Sequence, residues 1–200
     1  MPTQQLSTAV RHAMPADRPA IANALSRAFH DDPVGSWLVP DGDQRQAVLP
    51  RMFDLFADLF IPHGEARVTD DGTGAALWLP PETELVTTAQ IDAFAARIGE
   101  LAGEDAPRTF ALMDAQDAHH PHDPAYYLML VGVLPESQGQ GIGASLITPV
   151  LEQCEREGVG AYLEATSVDS RRLYERLGFE TIGEFAPEGC PPLWPMWRAS

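Results

Sequence analysis

Apolar side chains recur along this chain on two different periods. In "DRPAIANALSRAF" they fall at Ile21, Ala24, Leu25 and Ala28, the three-and-four spacing of one helix face. This predicts a helix from about Ala16 to Phe29, with Asp17 as a first-turn acid, behind a short strand in "TAVRH". "HDDP", His30 to Pro33, reads as the turn that ends it. Val48, Leu49, Met52, Phe53, Leu55, Phe56 and Leu59 mark a second helix, about Gln44 to Phe60. The period then changes. "EARVTDDGTGAALWLPP" predicts a hairpin with strands at Ala66 to Thr69 and Ala75 to Leu79, a turn at Asp70 to Gly74, and a stop at Pro80 and Pro81.

Two helical stretches follow, roughly Thr88 to Ala102 and Asp105 to Ala118, and lead into "HHPHDP", a polar, proline-punctuated break with the character of a hinge or mobile loop. "AYYLMLVGVLP" is a long apolar run suited to a central strand. A glycine-rich loop, "ESQGQGIG", opens a helix that reaches about Glu157, with Ile142, Leu146, Ile147, Val150, Leu151 and Cys154 on its inner face. Pro149 removes one hydrogen bond from that helix and predicts a kink. "GAYLEATS" is a further strand, "SRRLYERLG" a short helix closed by Gly178, and "FETIGEF" and "LWPMWR" are the last strands. No internal repeat interrupts this order. Helices and strands mixed in this way predict an α/β (α+β) domain, and a length of 200 residues with 44% hydrophobic content suits a single one, 1–200.

Composition narrows the chemistry. The formal charge is -16 and all 13 basic residues are arginine; lysine is absent, which excludes a Schiff-base lysine and a Walker A phosphate loop. The acidity argues against nucleic acid as a partner and favours a cationic one. No apolar run has the length of a membrane span, and "MPTQQLSTAVRHAMPADR" lacks a leader's apolar segment, so the expected place is the cytoplasm and no membrane partner is expected. Two distant cysteines, Cys154 and Cys190, read as unpaired thiols. "PPLWPMW" near the C-terminus serves equally as core or as the edge of a homodimer.

The glycine loop carries the strongest signal. A strand-to-helix turn leaves the first helix amides without intrahelical partners, and glycines let a phosphate approach them, so the loop predicts an anion site. The dinucleotide pattern G-x-G-x-x-A fits Gly139, Gly141 and Ala144, with Glu164 at the spacing of a ribose-binding acid. However, Pro135 to Gln138 separate the strand from the first glycine, and the stretch after the loop is short for the second half of a doubly wound sheet. An NAD(P)-type oxidoreductase therefore stands as the alternative. Coenzyme A is the other ligand that fits.

Here the chain resembles a known family. Gln138-Gly139-Gln140-Gly141-Ile142-Gly143 matches the Q/R-x-x-G-x-G/A signature of the GCN5-related N-acetyltransferases (GNAT), and "LEATSVDSRRLYERLGFE" is similar to that family's second signature. "WLVPD" and "ALWLPP" are similar to the branch that contains puromycin N-acetyltransferase. The resemblance implies a mostly antiparallel, splayed central sheet and transfer of an acetyl group from acetyl-coenzyme A directly to a primary amine of a small molecule. It implies that the amides of Gly139, Gly141, Ile142, Gly143 and Ala144 hold the pyrophosphate, with Gln138 ordering the loop. It also assigns the backbone of Val133 and Leu134 to the acyl carbonyl and pantetheine arm, with Gly132 expected to form a bulge that frees the Val133 N–H.

Tyr174 matches the family's tyrosine and is the candidate general acid. Glu164, near the end of the strand beside the cofactor strand, is the first candidate for general base, although strand alternation leaves its face undecided. His119, His120, His122 and Asp123 form the competing cluster; their irregular spacing suits an exposed loop better than a metal site, and no metal is expected. Ser170 stands where relatives often carry asparagine, and Arg172 is a candidate partner for the adenosine phosphate. Asp31 and Asp32 read either as an attractor for a cationic acceptor or as a solvated helix terminus. A non-catalytic coenzyme A-binding module is the remaining alternative.

Overall fold

The structure, a computed structural model, describes residues 9–200; the first part of the N-terminal stretch read for a leader, 1–8, lies outside it. In chain order the strands are β1 (Val10–His12), β2 (Glu65–Thr69), β3 (Gly74–Leu79), β4 (Ala125–Val133), β5 (Gly160–Ala165), β6 (Glu180–Thr181) and β7 (Trp194–Arg198). The helices are α1 (Arg18–Phe29), α2 (Pro33–Leu38), α3 (Gly42–His63), α4 (Ile91–Ala102), α5 (Ala106–His119), α6 (Ile142–Glu157) and α7 (Val168–Arg176).

The seven strands form one sheet in the order β1-β2-β3-β4-β5-β7-β6. β4 and β5 run parallel; every other neighbouring pair is antiparallel. The parallel pair needs a crossover, which α6 supplies. β3 shows how the sheet is buried on both faces. Ala75 and Leu77 pack with Ile21, Leu25, Phe53 and Phe60 of α1 and α3, while Ala76 and Trp78 pack with Leu146, Ile147 and Val150 of α6. A strand buried on both sides carries no polar alternation, as "GAALWL" does not.

Two expectations change. "HDDP" is a turn that starts a helix as well as ending one: the Asp32 carboxylate accepts from the Val34 and Gly35 N–H groups and Pro33 takes the first helical position of α2. "FETIGEF" keeps only two residues in the sheet, with an isolated bridge between Phe185 and Leu193 beyond them. Pro149 lies inside α6, which reaches Glu157 as expected. The "HHPHDP" break is fastened by its rings: His119 stacks on Phe185 at 4.2 Å, and His120 sits edge-on to Tyr127 and Tyr162.

Candidate active site

β4 and β5 pair from Ala125↔Gly160 to Leu128↔Leu163; beyond that β4 continues to Val133 and β5 to Ala165 without pairing to each other. The parting has a local cause. On the β3 side, Leu128 faces Trp78 and Leu130 faces Leu77, which leaves Met129 as an extra residue on β4. Such a bulge bends its strand. The bulge is therefore at Met129. Gly132, where it was expected, pairs regularly with Ala75 and serves a different end: a Cβ there would lie 2.8 Å from Ala28 Cβ and 3.0 Å from Leu25 Cδ2, so glycine lets α1 lie close against β4.

The Val133 amide is aimed by register. Leu134 N–H donates to the Thr73 carbonyl at 2.8 Å, which makes Gly74↔Val133 a non-hydrogen-bonded pair. The N–H and C=O of Val133 consequently point away from β3 into the opening. Gln138 Nε2 donates to that C=O at 3.0 Å and so ties the loop to the strand end. Leu134 is different from expectation: its N–H is taken by Thr73 and its C=O accepts from Ser137, so its backbone is engaged inside the protein.

After a single turn at Pro135–Ser137, Gly139 (φ 74°) and Gly141 (φ 83°) adopt left-handed conformations, and Gly141 caps α6. A side chain at either would be strained. No atom lies within 4 Å of a Cβ built on either one, so the space beside the loop is open. Ser145 N–H makes the first bond back to Gly141 C=O at 3.0 Å, so the amides of Ile142, Gly143 and Ala144 precede the helix ladder at its positive end. Arg27 of α1 braces the turn through Glu136 at 2.7 Å.

Glu164 and Tyr174 enter from opposite faces of the sheet. Tyr174 is buried in the layer under α6 and α7, whereas Glu164 belongs to the alternate face of β5. Both line one cavity of about 150 Å³, together with Thr166. Glu164 Oε2 accepts from Tyr127 OH at 2.7 Å, and Oε1 is buried without a well-formed hydrogen bond. Burial pushes this carboxyl above the usual carboxylate range, with Tyr127, Tyr162 and Gln116 close enough to hold back part of the rise. Burial and the neighbouring Asp32 push the Tyr174 phenol up as well, so it keeps its proton at neutral pH.

Asp32 is tied down by its N-cap bonds and by Thr166 Oγ1, which donates to it at 2.6 Å; burial nevertheless raises its pKa. It therefore helps to shape the site, whereas Asp31 stands in solvent. Ser170 Oγ is spent within a cap, donating to the Ser167 C=O at 2.9 Å. Arg172 is exposed and pairs with Asp169 of its own helix at 3.3 Å, while Arg171 lies over the Trp194 ring. His119 Nδ1 bonds to the Ala115 C=O, and among the described residues no three His, Cys, Asp or Glu side chains gather as a metal site would require. Tyr127, Gln116 and Thr166 were not anticipated. The signal for Tyr127 lay in the register that sets it opposite Tyr162, two residues before Glu164.

An opening between two parallel strands, a glycine-led helix N-terminus at its mouth and a paired acid and phenol below it agree with the sequence signature. The family model of the acetyltransferase (GNAT) family matches residues 76–179. The chain belongs to the GNAT acetyltransferase family. As a GNAT protein it is an acyltransferase, and acetyl-coenzyme A is the family's acyl donor. It is 31% identical to an uncharacterised N-acetyltransferase of Schizosaccharomyces pombe over 79% of this chain and 68% of that one. Among solved structures, a histone acetyltransferase HPA2 and related acetyltransferase from Corynebacterium glutamicum superposes with a TM-score of 0.71 at 27% identity, covering 96% of both chains. Arylalkylamine N-acetyltransferase 2 from Aedes aegypti does so at 0.70 and 17% identity, covering 96% of this chain and 98% of that one. The GNAT sheet has one parallel pair, so Gly139, Gly141 and Ala144 do not open the doubly wound parallel sheet that the dinucleotide pattern presupposes.

Proposed function

We propose that this GNAT protein transfers an acetyl group from acetyl-coenzyme A directly to the primary amine of a small molecule, within one catalytic domain. The observation that supports the reading is that Glu164 and Tyr174 line one cavity with Val131, two residues before the Val133 amide that the register turns away from β3. When bound, coenzyme A supplies a thioester carbonyl that an amine can attack.

The chain's own groups then have separate tasks. The amides at the α6 N-terminus, from Gly139 to Ala144, receive the pyrophosphate, and the open space beside Gly139 and Gly141 fits it. Val133 N–H donates toward the acyl oxygen, where charge develops. Glu164 takes a proton from the incoming ammonium, and Tyr174 gives one to the departing sulfur as the carbon–sulfur bond breaks. The raised pKa keeps the Tyr174 phenol protonated before transfer and makes it a weaker acid, while burial also disfavours the departing thiolate, so the two effects oppose each other. Ser170 and Arg172 are left a weaker role, limited to the exposed part of the cofactor.

Similarity of fold to an arylalkylamine N-acetyltransferase supports an amine acceptor. Within the family we read the chain as a relative of the puromycin N-acetyltransferase branch, on "WLVPD" and "ALWLPP". Cys154 and Cys190 are unpaired, as in a reducing compartment, and we place the enzyme in the cytoplasm with neither nucleic acid nor membrane as partner. No helix among the described residues is long and apolar enough to cross a membrane. A homodimer through the C-terminal strand edge is part of the same proposal.

The test is release of free coenzyme A thiol on mixing the protein with acetyl-coenzyme A and a panel of primary amines. Amine-dependent release with appearance of the N-acetyl product is the expected result. A tight coenzyme A complex with no release across the panel would favour the non-catalytic module instead.

A further inference from the structure

The cavity in front of Glu164 also bears on what kind of amine enters. Its volume, about 150 Å³, is the size at which walls of aliphatic and aromatic side chains take up a benzene ring. Its walls are of that kind: Phe29, Met52, Phe53, Phe56, Met113 and Met129 face it from α1, α3, α5 and β4. The polar groups that line it are mostly spoken for. Thr109 Oγ1 donates to the Asp105 C=O, Gln116 Nε2 to Tyr127 OH, and Thr166 Oγ1 to Asp32. Glu164 Oε1 is a buried oxygen without a well-formed hydrogen bond, and Glu164 is the only carboxylate among the described residues lining the space.

From this we infer that the acceptor is a primary monoamine with a single apolar body, aryl or alkyl, whose ammonium meets Glu164 Oε1 and whose body lies among Met52, Phe53, Phe56 and Met113. The inference rests on the amine acetyltransferase reading above and narrows it. One ammonium answers that oxygen, and the apolar body gains from leaving water. A second cation would have to shed its hydration against methionine and phenylalanine in a wall that holds no second carboxylate, and the nearby Asp32 is already bonded to Thr166 and to the α2 amides, a large cost. The charge of -16 therefore does not select a polycation, because only one of the 29 acidic residues lines this cavity.

The inference is tested by comparing kcat/KM for 2-phenylethylamine and hexylamine with that for putrescine and agmatine, all with acetyl-coenzyme A. The two monoamines should lead by tenfold or more, and Met113→Glu, which sets a second carboxylate in the wall, should shrink that lead at least threefold. Putrescine or agmatine turning over as fast as the monoamines would overturn the inference and leave the acetyltransferase reading in place. If none of the four turns over, that reading is what fails. Thermal shift with coenzyme A present then decides the cavity alone: stabilisation by hexylamine and not by putrescine upholds the preference, and equal shifts remove it.

Discussion

Replacing Glu164 with glutamine separates two effects of one buried carboxyl. As the proposed base it carries the proton transfer, so Glu164→Gln should lower kcat/KM at neutral pH by about 100-fold or more, measured by thiol release. Its raised pKa means that the folded state binds the proton more tightly than the unfolded chain, so ionisation costs stability as pH rises through the folded value. Glutamine removes that cost while still accepting from Tyr127. The variant should therefore melt higher than the native protein at neutral pH, and the gain should vanish below about pH 4, where the carboxyl is protonated in both states. In the native enzyme the acidic limb of the kcat/KM profile should lie at higher pH than an ordinary carboxylate would place it. Tyr174→Phe should lower kcat about tenfold or more and leave coenzyme A affinity near its native value in a calorimetric titration. Sequence alone could name Glu164 and Tyr174, one from its place near a strand end and one from a motif. It could not assign the face of Glu164, because β5 is buried on both sides and shows no polar alternation. Asp32 was half-read for another reason: its partner Thr166 lies 134 residues away.

Elements that obey a period long enough to measure were legible, and those shorter than it were not. The apolar stripes of α1, α3 and α6 each span three turns or more and gave boundaries within a few residues, whereas α2 has 6 residues and β6 has 2. At Pro33 the same residue marks a stop to the preceding helix and the first position of the next. The splay of β4 from β5 was expected from family resemblance, but its cause was misplaced, since a glycine announces itself in sequence and a bulge at Met129 does not. Gly132→Ala tests the corrected role. The added methyl would press on Ala28 and Leu25, so the variant should lose about 1–3 kcal/mol in urea unfolding as α1 is pushed from β4. A neutral result would overturn the close-packing role given to Gly132.

At the scale of the whole molecule, the sheet joins two packed layers across an opening at its centre. α1 and α3 close one face and α6 closes the other, so the helices hold β4 and β5 at their paired ends while the opposite ends stand apart. Acetyl-coenzyme A should raise the melting temperature with a ligand dependence near RT ln(1 + [L]/Kd), about 2.7 kcal/mol at 100 Kd, where NAD gives no shift. The opening also leaves a mark that can be read without any turnover. Central strands of a sheet ordinarily hold the slowest-exchanging amides in a protein. Val131 and Val133 lie on the middle strand of seven, yet their register turns both amides toward the unpaired side. In deuterium exchange these two should lose their protons far sooner than their immediate neighbours Gly132 and Leu134. Coenzyme A should slow Val133 selectively, which would make the middle of the sheet the most ligand-sensitive part of its exchange map.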